Sequence, residues 1–261
     1  MNNFETDYYH EITTLSHYSE LRRSDEMLEV QKFHQKSIFF FPERNRKNRM
    51  DSVTRLFLNE VEFKIPKIDI YETKICLGEN NVSNNGSLRE FNKSLSLKEL
   101  SMVLLNSFGI DLKNGHRKFP SGGALFPVYP VFIQLVDGSI PKGIYYYDAV
   151  ENTLVKILSI DRKIKNKTLL DALSPTGKVS EQVMVYIGDL NKACYKYHYL
   201  GYNHLYLETG MLSQSLRENL LQIEGAGDLV YSGFNHNLLM EFLQLSKQDT
   251  IITLLQWIGK K

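Results

Sequence analysis

At 261 residues, with 43% hydrophobic and 23% charged side chains, the chain suits one large domain or two small ones and can bury a core. A formal net charge of +1 supplies no global field toward nucleic acid or a membrane surface, so any anion site must be local. The distant Cys76 and Cys194 form neither a CxxC pair nor a disulfide framework, no uncharged apolar stretch approaches the ~18 residues of a membrane span, and the polar opening "MNNFETDYYHEITTLSHYSEL" is no signal peptide; free thiols in a cytoplasmic protein are expected.

In chain order, residues 15–41 carry a weak helical rhythm, broken at Pro42 and the basic run Arg44, Arg46, Lys47, Arg49, which reads as a solvated loop. "CLGENNVSNNGSLREF", Cys76–Phe91, is rich in Asn, Gly and Ser and marks a loop or boundary, with a new unit beginning near Ser87. Ser96-Leu97-Lys98-Glu99 fits a capping box, and Leu97, Leu100, Val103 and Leu104 share one face of the helix it opens, with Gly109 as its stop. "ALFPVYPVFIQLV" has strand composition, although Pro127 and Pro130 deny it a full ladder at its start. "GIYYYDAVENTLVKI" predicts a hairpin turning at Asp148–Asn152, and "EQVMVYIGDL" another strand. Leu205, Leu212, Leu216 and Leu220 set the register of the longest helix, with Gly225 and Gly227 beyond it. Asn235 caps a short helix, and "TIITLLQWIG", apolar on both alternating faces, reads as a central strand. The succession is mixed α+β.

Several chemistries are excluded on the residues themselves. No GxSxG elbow or GxxxxGK loop occurs, "GAGDLV" lacks the third glycine of a dinucleotide fingerprint, and the seven histidines show no zinc spacing, so no metal is expected. Two stretches remain. In "RKFPSGGALFP", Arg117–Pro127, paired glycines beside Ser121 and basic side chains let main-chain N–H groups approach a flat or anionic ligand, although most such corners are plain turns. In "ACYKYHYLGYNHLYLETG", Lys196 and Tyr197 each have a proton to move and stand among aromatic neighbours. Spacing alone leaves the plainer reading open, a strand with one of the two side chains to water and the other to the core.

The ordered series "SLREF", "LSLKELSMVLLNSFG", "RKFPSGGALFPVYPVF", "GIYYYDAVENTLVKI", "KYHYLGYNHLYLETGMLSQSL" and "YSGF" resembles the SagB/McbC-type oxidases of the nitroreductase superfamily, over about residues 87 to 259. These are FMN-dependent azoline oxidase subunits of synthetases that make thiazole- and oxazole-containing peptides of the streptolysin S and microcin type. The resemblance implies an α+β, nitroreductase-like fold with a mostly antiparallel central sheet flanked by helices: residues 81–261 as the FMN-binding oxidase domain, 1–80 as an N-terminal extension. It places Ser121, Gly122 and Gly123 against the flavin, Arg117 near its phosphate or ring edge, and Arg89 at the phosphate. Lys196 and Tyr197 match the family's catalytic pair, Gln214 a cofactor-facing glutamine, and Gly233 a Gly-aromatic element near the site. Ser215 stands where relatives often carry Asn.

The implied activity is FMN-dependent dehydrogenation of peptide thiazolines or oxazolines to thiazoles or oxazoles, with Lys196 or Tyr197 as base. A homodimer is expected, because in this fold the flavin lies between two copies. The implied partners are a modified precursor peptide and E1-like and YcaO cyclodehydratase subunits, which residues 1–80 would help dock. Other readings stay open: an NAD(P)H-using nitroreductase-like flavoenzyme, a thiazoline oxidase of a nonribosomal pathway, and a non-catalytic scaffold subunit.

Overall fold

A computed structural model describes residues 25–38, 72–78, 86–160, 163–175 and 180–261. The break at Pro42, the basic run Arg44–Arg49 and the polar opening of the chain lie outside the described residues. The chain divides into two compact units, Met1–Phe40 with Ser87–Lys261, and Phe41–Gly86. The larger unit resumes at Ser87, where the sequence reading begins a new unit. In the smaller unit the described residues, 72–78 and Gly86, form no helix or strand.

The larger unit is built on a six-stranded sheet: β1 Val128–Gln134, β2 Gly143–Asp148, β3 Thr153–Leu158, β4 Gln182–Asp189, β5 Ala226–Tyr231 and β6 Thr250–Lys260. The order is β3-β2-β1-β4-β6-β5 and every pairing is antiparallel. All eight residues of β4 are buried, as the continuous apolar run "QVMVYIGD" requires of a central strand. Pro130 precedes the ladder to β2, which begins only at Val131, so the proline sits where one side of the strand is still unpaired. The β2–β3 turn is made by Asp148, whose Oδ1 accepts from the N–H of Val150 at 2.9 Å, and by Asn152 with φ +52°.

Alternation along the strands sends side chains into two cores. On one face Phe132, Met184, Tyr186 and Ile258 pack against helices α1 Asp25–Ile38, α2 Leu97–Phe108, α4 Leu190–Tyr197 and α5 Tyr199–Leu220. On the other, Ile133, Val185 and Trp257 meet α3 Lys163–Leu173 and α6 His236–Phe242. The Ser96–Glu99 capping box closes reciprocally: Ser96 N–H donates to Glu99 Oε2 at 2.9 Å and Glu99 N–H to Ser96 Oγ at 3.3 Å. Leu100, Val103 and Leu104 are buried as their spacing predicts, but Leu97, at the first helical position, is exposed. Leu205, Leu212, Leu216 and Leu220 of α5 are fully buried, each a site where truncation to alanine costs about 2–5 kcal/mol. The α3 segment is a helix to which the sequence pattern assigned no element.

Helix α1 carries Val30 and His34 into the α5 face of the core, so this part of the expected extension belongs to the same packed unit. His34 lies with its ring centroid 6.1 Å from that of His236 on α6, and Ile252 N–H donates to His236 Nε2 at 3.2 Å. Burial, and then the neighbouring His34 and Lys247, hold His236 down to about 4 from an ordinary 6.5. The unfolded chain therefore binds more protons than the folded one between these values, and stability falls as pH drops through the window. Urea unfolding at pH 7 and pH 4.5 is expected to show a loss of about 2–3 kcal/mol from this group. His236→Gln, which keeps an acceptor for Ile252 N–H but does not titrate, removes that part of the loss.

Candidate active site

One end of the sheet gathers the start of β1, the end of β4 and the start of β6, since Val128 pairs with Gly188 and Asp189 with Thr250. There Asp189 caps α4, accepting from Lys192 N–H at 2.9 Å, and the chain turns directly from strand into helix. Lys196 and Tyr197 occupy the last turn of α4, which corrects the strand reading of this pair. His198, with φ +48°, then breaks the helix and α5 starts at Tyr199.

The glycine corner folds against these helix ends. Ser121 is extended, Gly122–Ala124 form a single 3-10 turn, and Gly123, Ala124 and Phe126 take left-handed φ values of +63°, +57° and +47°. A Cβ on Gly123 would lie 2.5 Å from Tyr197 OH and 2.7 Å from Lys196 Nζ, so the phenol and the amine meet at one point on bare main chain. Lys196 Nζ also stands 5.5 Å from the centre of the Tyr197 ring. The corner is exposed at Gly122–Ala124, and neither glycine N–H has an acceptor among the described residues.

Two further ionisable side chains, from α5, face the corner. His204 lies with Nδ1 3.0 Å from where a Gly122 Cβ would stand and packs its ring at 74° to that of Tyr197, centroids 4.7 Å apart. Glu208, 3% exposed, accepts from the Ser121 hydroxyl through Oε2 and from Val128 N–H through Oε1 at 3.2 Å. Burial pushes the Glu208 carboxyl up, against the lowering effect of those two hydrogen bonds and of the charges of Arg117 and Lys192. Arg117 spreads its guanidinium over the Phe126 ring, 4.3 Å from the centroid.

Of the residues singled out by sequence, Arg117, Ser121, Gly122, Gly123, Lys196 and Tyr197 thus come together. The Ser121 hydroxyl points inward, donating to Glu208 and accepting from Phe126 N–H at 2.9 Å, and its carbonyl accepts from Ala124 N–H at 3.1 Å. Gln214 is exposed on α5, where Lys118, Phe119, Pro120, Leu207 and Met211 join it in lining an open groove of about 440 Å³ beside the corner. Arg89 is not brought to the corner within one chain. Its neighbour Leu88 donates to Asp228 O at 2.8 Å, and Asp228 is level, through Ile258 and Gln182, with Gln134 at the far end of β1, roughly 20 Å from Val128 along the strands. Gly233 follows β5, where its carbonyl accepts from Tyr231 OH at 3.0 Å on the α3 and α6 side, across the sheet from the corner. The sequence reading missed His204 and Glu208, although their i, i+4 spacing on the helix carrying Leu205 and Leu212 turns both toward the protein.

No protein-family model matches the chain. Over 204 residues it is 25% identical to a candidate nitroreductase of Methanocaldococcus jannaschii, covering 77% of this chain and 97% of that protein. Over 170 residues it is 24% identical to the microcin B17-processing protein McbC of Escherichia coli, covering 63% of this chain and 62% of McbC. Among solved structures, a chain of the E. coli microcin synthetase McbBCD complex, with truncated pro-MccB17 bound, superposes with a TM-score of 0.78 at 23% identity, over 95% of this chain and 97% of that one. The chain has the nitroreductase fold and is similar to McbC. A candidate nitroreductase of Ralstonia eutropha shares this fold at a TM-score of 0.56 and 20% identity, over 84% of this chain and 87% of that one. The α+β sheet flanked by helices is therefore the nitroreductase architecture, and the glycine corner with its helix-end amine and phenol is a feature built upon it.

Gly123→Ala tests the geometry of that corner. A methyl at φ +63° is strained and collides with Tyr197 OH, so chemical denaturation is expected to report a loss of about 1–3 kcal/mol. Gly115→Ala, where φ is +73° but nothing lies within 4 Å, measures the backbone part alone and is expected to cost less.

Proposed function

We propose that the chain is an FMN-dependent azoline oxidase, dehydrogenating peptide thiazolines or oxazolines to thiazoles or oxazoles during maturation of a ribosomal peptide. The observation that carries this reading is the meeting of Lys196 Nζ and Tyr197 OH at the exposed main chain of Gly123. Similarity to McbC, a microcin B17-processing protein, supports the peptide substrate, and the likeness to a chain of the McbBCD synthetase supports an assembly with cyclodehydratase subunits of the E1-like and YcaO kinds, in which residues 1–80 take part in docking.

The residues present suit FMN. A flat ring needs close approach to backbone along one edge, which Gly122 and Gly123 offer through two N–H groups without an acceptor among the described residues, and an anionic tail needs basic side chains, which Arg117 and Arg89 supply. FMN, when bound, supplies the acceptor for two electrons and one hydrogen. The other hydrogen leaves as a proton from the ring carbon that lies between a carbonyl and an imine-like nitrogen, and Tyr197 or Lys196 receives it. The partner group holds the substrate or stabilises negative charge. His204, packed on the Tyr197 ring, limits its movement.

A second copy completes this arrangement. Arg89 stands at the opposite end of the sheet from the start of β1, and α5 presents Leu200, Leu207 and Met211 as one exposed apolar stripe that borders the groove beside the corner. A homodimer joined along α5 would cover the stripe and supply Arg89 to the other copy's corner.

Purified protein is expected to show visible flavin absorbance. Lys196→Ala and Tyr197→Phe are expected to retain that absorbance while azole formation, followed by mass spectrometry as the loss of two hydrogens per ring, falls by about 10²–10⁴-fold. Wild-type turnover in both variants would refute the assignment. The candidate nitroreductase of M. jannaschii, covered over 97% of its length, favours a second reading as an NAD(P)H-dependent reductase; rapid bleaching of the flavin by NADPH, without azoline oxidation, would decide for it.

A further inference from the structure

Glu208 takes no part in the proton chemistry above, yet it is a carboxylate buried at the centre of the site, 3% exposed. Burying such a group is costly unless it is compensated, and here the compensation is specific: the Ser121 hydroxyl, Val128 N–H, and the charges of Arg117 and Lys192. The use of that carboxylate follows from what a serine hydroxyl has to offer, one proton and two lone pairs. Because the proton is drawn to Glu208, the lone pairs are left for Phe126 N–H, which donates to Ser121 Oγ at 2.9 Å.

The Ser121–Phe126 bond closes over Gly123 and Ala124 and ends on Phe126, the three left-handed residues of the corner. Two of these carry side chains and are strained in this conformation, which persists only where the surroundings over-determine it. With no acceptor at position 208 the Ser121 hydroxyl is free to rotate. The corner then relaxes toward an ordinary turn, which no longer presents the Gly122 and Gly123 N–H groups beside Tyr197 and Lys196.

We propose that Glu208, acting through the Ser121 hydroxyl, is a positioning residue that holds the glycine corner in the form that receives the cofactor ring. The inference rests on the flavin-dependent reading above.

The test is a fluorescence titration of FMN into the full-length chain stripped of cofactor. Glu208→Ala is expected to raise the dissociation constant for FMN at least tenfold. Glu208→Gln, which keeps one acceptor oxygen and so one of the two bonds, is expected to fall between Glu208→Ala and wild type. If the residue works through Ser121, the double variant Ser121→Ala/Glu208→Ala binds FMN no more weakly than the weaker single variant. A purely packing role for Glu208 would make the two losses multiply, and that result overturns the proposal. So does a wild-type dissociation constant in Glu208→Ala with an unchanged circular dichroism spectrum; should Glu208→Ala not fold, a wild-type constant in Glu208→Gln does the same. Failure of the wild-type chain itself to bind FMN would overturn the cofactor assignment and this inference with it, whereas unchanged variants beside a binding wild type overturn the role of Glu208 alone.

Discussion

With no side chain at Gly123, the phenol of Tyr197 and the amine of Lys196 come to rest against main chain, both within 2.7 Å of the place a Cβ would occupy. That contact requires three things at once: a residue tolerant of φ +63°, an α4 short enough to end beside the corner, and a break at His198 that lets the chain restart as α5 without carrying the pair away. Gly201 meets a related demand one turn later. A Cβ there would run into the Ala193 carbonyl, so its absence lets α5 close down on α4. The site is therefore a product of helix-to-helix approach as much as of the residues that would touch a ligand.

Helix α5 divides its circumference among three tasks. Leu205, Leu212, Leu216 and Leu220 anchor it to the sheet, Leu200, Leu207 and Met211 face outward, and His204 with Glu208 fills the sector between, turned toward the corner. Beneath it a buried polar chain ties three strands to the helix: Tyr186 OH donates to Gln256 at 2.6 Å, and Gln256 Nε2 donates to Asp228 at 2.9 Å and to Ser213 O at 3.1 Å. Satisfied networks of this kind fix a single packing where leucines alone would allow sliding. The rotation of α5, and with it the aim of His204 and Glu208, is thus set from below by the sheet.

Much of the frame was legible because its signals are local. The capping box at Ser96, the Asp148–Asn152 hairpin, the leucine register of α5 and the Asn235 cap each depend on a few neighbouring residues. The strand reading of Lys196 and Tyr197 failed because α4 is only eight residues long and its apolar face is carried by just Leu190, Ala193 and Cys194, so the Asp189 cap and that short i, i+3, i+4 run were its marks. Leu97 misled because a residue at the first helical position can turn outward even where its spacing matches the buried face that begins at Leu100. Glu208 was hidden by its chemistry: a glutamate on a helix reads as solvent-facing unless its place in the leucine register is counted. Arg89 and Gly233 were grouped with the corner by resemblance, which orders motifs along a chain but does not say which of them one chain brings together.

Strand order carries a consequence for biosynthesis. Because β6 lies between β4 and β5, yet follows both in the chain, β4 emerges with only its β1 side paired and β5 with no strand beside it. The growing protein holds a four-stranded half-sheet, β3-β2-β1-β4, and a lone β5 until β6 wedges between them. Pairing across so many intervening residues is entropically slow. The interval before that wedge closes is when nascent chains are most open to aggregation and to chaperone capture.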